Sequence, residues 1–270
     1  MQHYKSNGFT LLELSIVLTI IGFLVAGVVV GQSLMRESQI RTMLGEYDEY
    51  SKAIQEFEDK YQALPGDMST AQNIWGSLAV GVCNGSTGVT TVSTGTATCN
   101  GNGNGTIGNS SAGSTGIGGE YWYAWQHLSN AGLIEGRFTG ADYASTIGIP
   151  YFGINTPASK LGSGGWMVLY YSNTAGTNAA WADSYGHILV FGAANSTPLN
   201  YSPVLTPTEA LAIDRKLDDG IPLTGKIRVW RYGLNPNCTN DSVGTVSQTV
   251  PTYTTAYASP ACSLMFLLGI

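Results

Sequence analysis

From Leu14 to Gly31 the chain reads LSIVLTIIGFLVAGVVVG, about 18 residues without a charge, and no other feature limits the possible folds as strongly. At 1.5 Å per residue such a run is close to the shortest helix that crosses the hydrocarbon core of a bilayer. Directly before it stands one carboxylate, Glu13. An ionisable side chain at mid-span costs roughly 2.5–3.5 kcal/mol on insertion scales, and less near the interface. Glu13 therefore requires either a partner or a place at the headgroup level. The segment ahead, MQHYKSNG, is short and carries Lys5. A secretory signal would be followed by a small-residue cleavage site; no A-x-A pattern follows Gly31, so the apolar run is expected to remain in the protein. The positive-inside rule places Lys5 in the cytoplasm and the large C-terminal part outside.

Helical periodicity continues past Gly31 in another form. Ile40, Met43, Tyr47, Tyr50, Ile54, Phe57 and Tyr61 recur three and four apart with charged residues between them, one apolar stripe on a helix that otherwise faces water. The first break is LPGD, at Pro65 and Gly66. A helix from Phe9 to Ala63 would be about 80 Å long, greasy all round in its first half and striped in its second. The second half needs a globular body to lie on.

That body has an unusual surface. Charged residues make up 11% of the chain and glycine numbers 35, against roughly 25% charged residues in an ordinary soluble domain. Serine, threonine, asparagine and glycine must carry the surface, as suits an extracytoplasmic or filament-forming protein. A formal charge of −6 without a Lys/Arg cluster excludes nucleic-acid binding. Between Met68 and Gly119 there is no charged residue at all, which marks a loop-rich excursion with little core of its own. EYWYAWQHLSNAGLIEG then predicts a short helix with Tyr121, Trp125 and Leu128 on one face and Gly132 ending it. GWMVLYYS, GHILVFG and KIRVWRYG read as strands, and CSLMFLLGI as a last core strand. In LTPTEALAIDRKLDDG, Thr206 and Glu209 form a capping box, Pro207 suits the first helical position, and Ala210, Ile213 and Leu217 form a buried stripe.

The four cysteines fall as local pairs, Cys83 with Cys99 and Cys238 with Cys262, each around a polar loop. CxxC spacing is absent and His3, His127 and His187 are scattered, so two disulfides in an oxidising compartment are expected rather than a zinc site, the alternative being four buried thiols. CNGNGNGTIGNSS places Asn100, Asn102 and Asn104 in the register of an EF-type calcium loop with every early Asp replaced and Ser111 where a bidentate Glu would stand; the alternative is a Gly-Asn turn. Asp214, Asp218 and Asp219 offer a second candidate, against a helix-ending turn. Asp67 is expected to cap the loop after the long helix. Glu120 with Asp142 would be a carboxylate pair of the kind glycoside hydrolysis uses, and YWYAW either a sugar-stacking surface or core. No nucleophile elbow, H-E-x-x-H or Gly-rich phosphate loop occurs, so no catalytic residue is assigned.

The leader, Gly8, and FTLLE opening an apolar helix together resemble the prepilin signature of type IV pilins and of the pseudopilins of type II secretion. The resemblance implies that prepilin peptidase cuts after Gly8, that the new amine of Phe9 is methylated, and that Glu13 serves assembly by pairing with the Phe9 amine of a neighbouring subunit. LPGD, WQHLSNAGLIEG, GSGGW and LTPTEALAIDRKLDDGIPLTGKIR also look like segments of large prepilin-type proteins. Many major pilins have proline where Val30 stands, whereas this chain has Gly22, Gly27 and Gly31; that leaves a minor pilin or pseudopilin. The expected fold is α+β and pilin-like, with a leader at 1–8, a long N-terminal helix at 9–64 and a loop-rich head at 65–270 whose antiparallel sheet packs on the helix. The head would lie in the periplasm before assembly and in a filament after it. The expected partners are prepilin peptidase, other pilin or pseudopilin subunits and the inner membrane; no cofactor is required, calcium being the one candidate. The competing expectations are a membrane-anchored carbohydrate-binding or hydrolytic protein, and a tip adhesin.

Overall fold

The structure, a computed structural model, describes residues 10–78, 95–108, 119–140, 149–173, 183–195, 202–230, 237–240 and 250–270. The leader with Gly8 and Phe9, and likewise Cys83, Ser111 and Asp142, lie outside them.

One helix, α1 (Leu11–Tyr61), runs unbroken for 51 residues, about 77 Å at the usual rise. Its end comes slightly before the Pro-Gly signal: Gln62 adopts a left-handed conformation (φ 53°) and returns its N–H to the Glu58 carbonyl, the usual way to close a last turn. The remaining elements among the described residues are α2 (Ala71–Trp75), α3 (Glu120–Asn130), β1 (Gly164–Asn173), β2 (Asp183–Ala193), α4 (Pro207–Leu217), β3 (Ile227–Val229) and β4 (Leu264–Leu267). The four strands form an antiparallel sheet in the order β1-β2-β4-β3. The chain is thus α+β in a pilin-like arrangement, one long N-terminal helix beside a separate antiparallel sheet.

The two halves of α1 meet different surroundings. Large apolar residues from Leu11 to Met35 are about half exposed or more, and this part of the helix is long and apolar enough to cross a membrane. Farther along, Met43, Tyr50, Ile54 and Phe57 are buried. Tyr47 stacks on Phe266 of β4 at 4.6 Å, and Tyr50 meets Trp125 of α3 edge-on at 5.2 Å. Glu46 ties the helix to the sheet as well: its carboxylate accepts from the Trp166 indole (2.9 Å) and from the Lys160 amide (3.1 Å). Central strands are buried on both faces, from Ile188 to Phe191 in β2 and from Leu264 to Phe266 in β4, hence their continuous apolar runs in place of alternation. Burying these residues, each worth about 1.5–3 kcal/mol, is what holds the head together.

Two expectations about helices change. Every residue of α3 from Glu120 to Leu128 is buried, not one face alone, because the head closes over it on all sides. On α4, Ala210 and Ile213 are buried but Leu217 is 42% exposed; the helix ends at Leu217, and Asp214 fills the inner position instead.

Candidate functional site

Two places carry the chemistry singled out in the sequence: the start of α1 and the polar loop 95–108 of the head. At the start of α1, Thr10 is the N-cap and Glu13 the third helical residue, so T-x-x-E closes a capping box. The Glu13 carboxylate accepts from the Thr10 amide (2.8 Å) and hydroxyl (2.9 Å), and the Glu13 amide donates to the Thr10 hydroxyl oxygen (3.2 Å). No cation faces Glu13 among the described residues. The carboxylate is thereby folded back onto Thr10 at the helix start.

An equivalent box at Thr206 and Glu209 opens α4. There the carboxylate also takes both ends of the Arg36 guanidinium, at 2.7 and 3.0 Å, while Arg36 donates a further bond to the Val204 carbonyl (2.8 Å). Burial pushes the Glu209 carboxyl up, but the bonds from Arg36 and Thr206 and the charge of Arg36 outweigh it and hold the group below its ordinary value. This pair fastens α4 to α1 just beyond the apolar half.

In the head, loop 95–108 is drawn onto the end of α1 and the start of α3 by buried acceptors. Asp67, expected to cap its own loop, instead accepts from the amides of Asn104 (3.0 Å) and Gly105 (2.8 Å). Glu120 accepts from the amides of Asn102 and Gly108, both at 2.9 Å. Burial first, and then nearby Asp67, push the Glu120 carboxyl up against the lowering effect of those amide bonds. Glycine is required where the two backbones touch: a Cβ on Gly101 would overlap the backbone of Gly66 and Asp67. Gly66, at φ +88°, has no room for one either, because of the Glu120 carbonyl. Imidazoles complete the anchoring. His127 Nδ1 accepts from the Gly66 amide (3.0 Å), and its Nε2 donates to the Cys99 carbonyl (3.1 Å). Burial pushes this ring down to about 4, so it is neutral at physiological pH. His187 Nε2 accepts from the Ile107 amide (3.2 Å) and its Nδ1 faces the Ile270 carbonyl (3.0 Å).

The asparagines of the proposed calcium register have local duties. Asn102 and Asn104 accept through their amide oxygens from the backbone two residues on (both 2.9 Å), and Asn100 accepts from the Gln72 amide (2.8 Å). Those of Asn102 and Asn104 are Asx turns, and the loop's donors converge on Asp67 and Glu120. The second candidate, Asp214, Asp218 and Asp219, is brought together within 4.8 Å. Asp214 accepts from the Tyr253 hydroxyl (2.8 Å) and the Gly220 amide (3.1 Å), Asp218 from the amides of Lys226 and Ile227, and Asp219 from the Ile221 amide and the Thr224 hydroxyl. Those bonds shape the turn that ends α4. Cys238 and Cys262 are joined, 24 residues apart in sequence. Cys99 is disulfide-bonded too, and its expected partner Cys83 lies outside the described residues. YWYAW is core: Tyr121, Trp122, Tyr123 and Trp125 are all buried.

Comparison with known families places one feature. Residues 4–29 match the model of the prokaryotic N-terminal methylation motif, the type IV prepilin-type cleavage and methylation signal. The match spans Gly8, Phe9, Thr10, Glu13 and most of the apolar run, and marks the chain as carrying the signal of a type IV pilin- or pseudopilin-type precursor. Neither the curated proteins nor the solved structures contain a match to the chain.

Proposed function

We propose that this chain is a structural subunit, a minor pilin or pseudopilin, of a type IV pilus or type II secretion pseudopilus. It is cleaved after Gly8 by prepilin peptidase, methylated at Phe9 and assembled through Glu13. The observation that carries the reading is the prepilin-type signal at 4–29, which runs into a helix whose first half is uncovered and whose second half builds the head. A peptidase acting at the membrane edge needs the small Gly8 at the cut. A filament needs a helix whose apolar surface can leave lipid for other helices. A carboxylate held at the helix start can then neutralise the amine of a neighbour's Phe9, so that two burial costs offset each other. The membrane-anchored hydrolase alternative would use an exposed carboxylate cleft. One is present, around Glu46 and Glu49, but Glu46 is committed to Trp166 and Lys160.

Mass spectrometry of the chain purified from cells that contain prepilin peptidase tests the proposal. The expected species begins at Phe9 and carries one methyl group, and replacing Gly8 by Trp leaves the leader attached. A chain that retains residues 1–8 in the presence of active peptidase would sink the reading.

A further inference from the structure

An acidic cleft of about 460 Å³ opens on the side of the head, with Gly45, Glu46, Glu49 and Tyr50 of α1 along one wall and Glu135 and Lys160 along the other. Three carboxylates thus face one ammonium. Glu49 and Glu135 are exposed and have no ion-pair partner among the described residues. Burial first, and then the charges of Glu135 and Glu46, push the Glu49 carboxyl up.

A second observation concerns the floor of this cleft. Gly45 lies in the middle of α1, exposed, with nothing within 4 Å of where its Cβ would be. Glycine in a helix interior destabilises it relative to alanine, and nothing among the described residues requires the missing side chain. A partner passing close over the helix at that point would require it.

The complementary surface is on the same molecule, at the C-terminal end of α4. Arg215 and Lys216 are exposed and have no ion-pair partner among the described residues, and Leu217 beside them is 42% exposed. Asp218 and Asp219 turn their carboxylates to the backbone of the following turn, Asp219 being exposed like the two cations. Lys216 borders a groove against Glu37, Ile40, Arg41 and Leu44 of α1. At 3.6 residues per turn these lie on a different face of α1 from Gly45 and Glu49.

We propose that the acidic cleft receives the Arg215–Lys216 end of α4 from a second copy of this chain, the aliphatic stems passing over Gly45 and the charged heads reaching Glu49 and Glu135. Two different patches in contact make a heterologous interface, which builds a ring where its rotation closes and an open helical array where it does not; a filament requires the open case. The inference rests on the subunit reading and adds to it which surfaces of the head meet.

Two differently tagged full-length copies, one with Glu49→Cys and one with Lys216→Cys, produced together in cells that process and assemble the chain, test it. Oxidation of the filament fraction is expected to give a mixed-tag adduct on a non-reducing gel. Gly45→Leu in the Glu49→Cys copy should cut the adduct yield about tenfold by blocking the floor, while the thermal midpoint of the purified chain does not fall. Charge reversal at Glu49 and Glu135 removes one of the two contacts a copy makes with unaltered neighbours and should lower its co-assembly, and Arg215→Glu with Lys216→Glu in the other copy should restore it. Cleaved chain in filaments without the adduct, or an adduct indifferent to Gly45→Leu, overturns the docking surface and leaves the subunit reading standing. Chain absent from filaments overturns both.

Discussion

The two Thr-x-x-Glu boxes of this chain are the same object locally and opposites in context. In each, the threonine amide lies 2.8 Å from the glutamate oxygen and the glutamate amide 3.2 Å from the threonine hydroxyl. At Glu209 the carboxylate also meets Arg36 and is largely shielded, its side chain 18% exposed. At Glu13 no cation faces the carboxylate among the described residues, and the helix behind it is uncovered. Four residues suffice to build the cap, but only the neighbours decide whether its charge is compensated. One box is closed by the protein's own fold; under the proposed function, the other is closed by another subunit.

The largest effect expected from breaking this contrast comes from Glu13→Gln. Insertion should be unchanged or easier, since a neutral amide is cheaper to bury, and leader cleavage unchanged. Incorporation into filaments should be lost, because an amine left unpaired in low dielectric costs roughly 3–5 kcal/mol at every interface. The share of chain in filament and membrane fractions measures it; equal incorporation of the Glu13→Gln variant and wild type would make the two boxes equivalent and remove the role assigned to Glu13.

Arg36→Ala should act in the opposite place. Loss of charged hydrogen bonds to a shielded carboxylate is expected to lower head stability by roughly 1.5–3 kcal/mol, several degrees at about 2–4 °C per kcal/mol. Filament incorporation at permissive temperature should be spared. The effect has a pH signature. Because the folded state holds the Glu209 carboxyl below its ordinary value, the pair's contribution is present above about pH 4.5 and fades as pH falls through the folded value. Wild type and Arg36→Ala should therefore converge in thermal midpoint in acid. Parallel curves down to about pH 3 would show that Arg36 acts through packing alone.

Smaller changes sharpen the same contrast. Thr206→Ala removes the cap of a helix docked on the head and should cost about 1 kcal/mol of head stability. Thr10→Ala removes an equal cap from an uncovered helix end. The thermal midpoint of the head should then not move, and only exchange protection in the first turn of α1, read by amide hydrogen exchange in micelles, should fall. A shift in the head's midpoint would mean that the two ends of α1 unfold together.

What the sequence discloses follows from how local each feature is. The apolar run, the Ile40–Tyr61 stripe, the strands around Trp166, His187, Ile227 and Met265, and the Thr206 box depend on spacing within a few residues. The Thr10 box carries the same signature, masked because FTLLE also reads as a leader motif; T-x-x-E alone is enough to find it. Asp67 and Glu120 escape such reading for a different reason. They meet amides from loop 100–108, far along the chain, and no periodicity encodes which backbone a buried carboxylate will reach. The glycines and asparagines of that loop resemble a cation site because both arrangements need tight turns. In this loop the N–H groups of Asn102, Asn104, Gly105 and Gly108 point to the carboxylates of Asp67 and Glu120. Leu217 fits the helical stripe and still faces outward, since α4 stops there and the turn built by Asp218 and Asp219 carries the chain away.

The unbroken course of α1 sets the azimuth of the head. The apolar half of α1 and the head share one screw, so each residue inserted near Ser33 would turn the head by about 100° and lift it about 1.5 Å. Under the proposed function, a neighbour that grips the first half of α1 at a given angle therefore dictates which side of the head it meets farther along. Lengthening the helix by one residue would misalign every contact of the head, whereas adding seven, close to two full turns, would nearly restore the heading at a height about 10 Å greater.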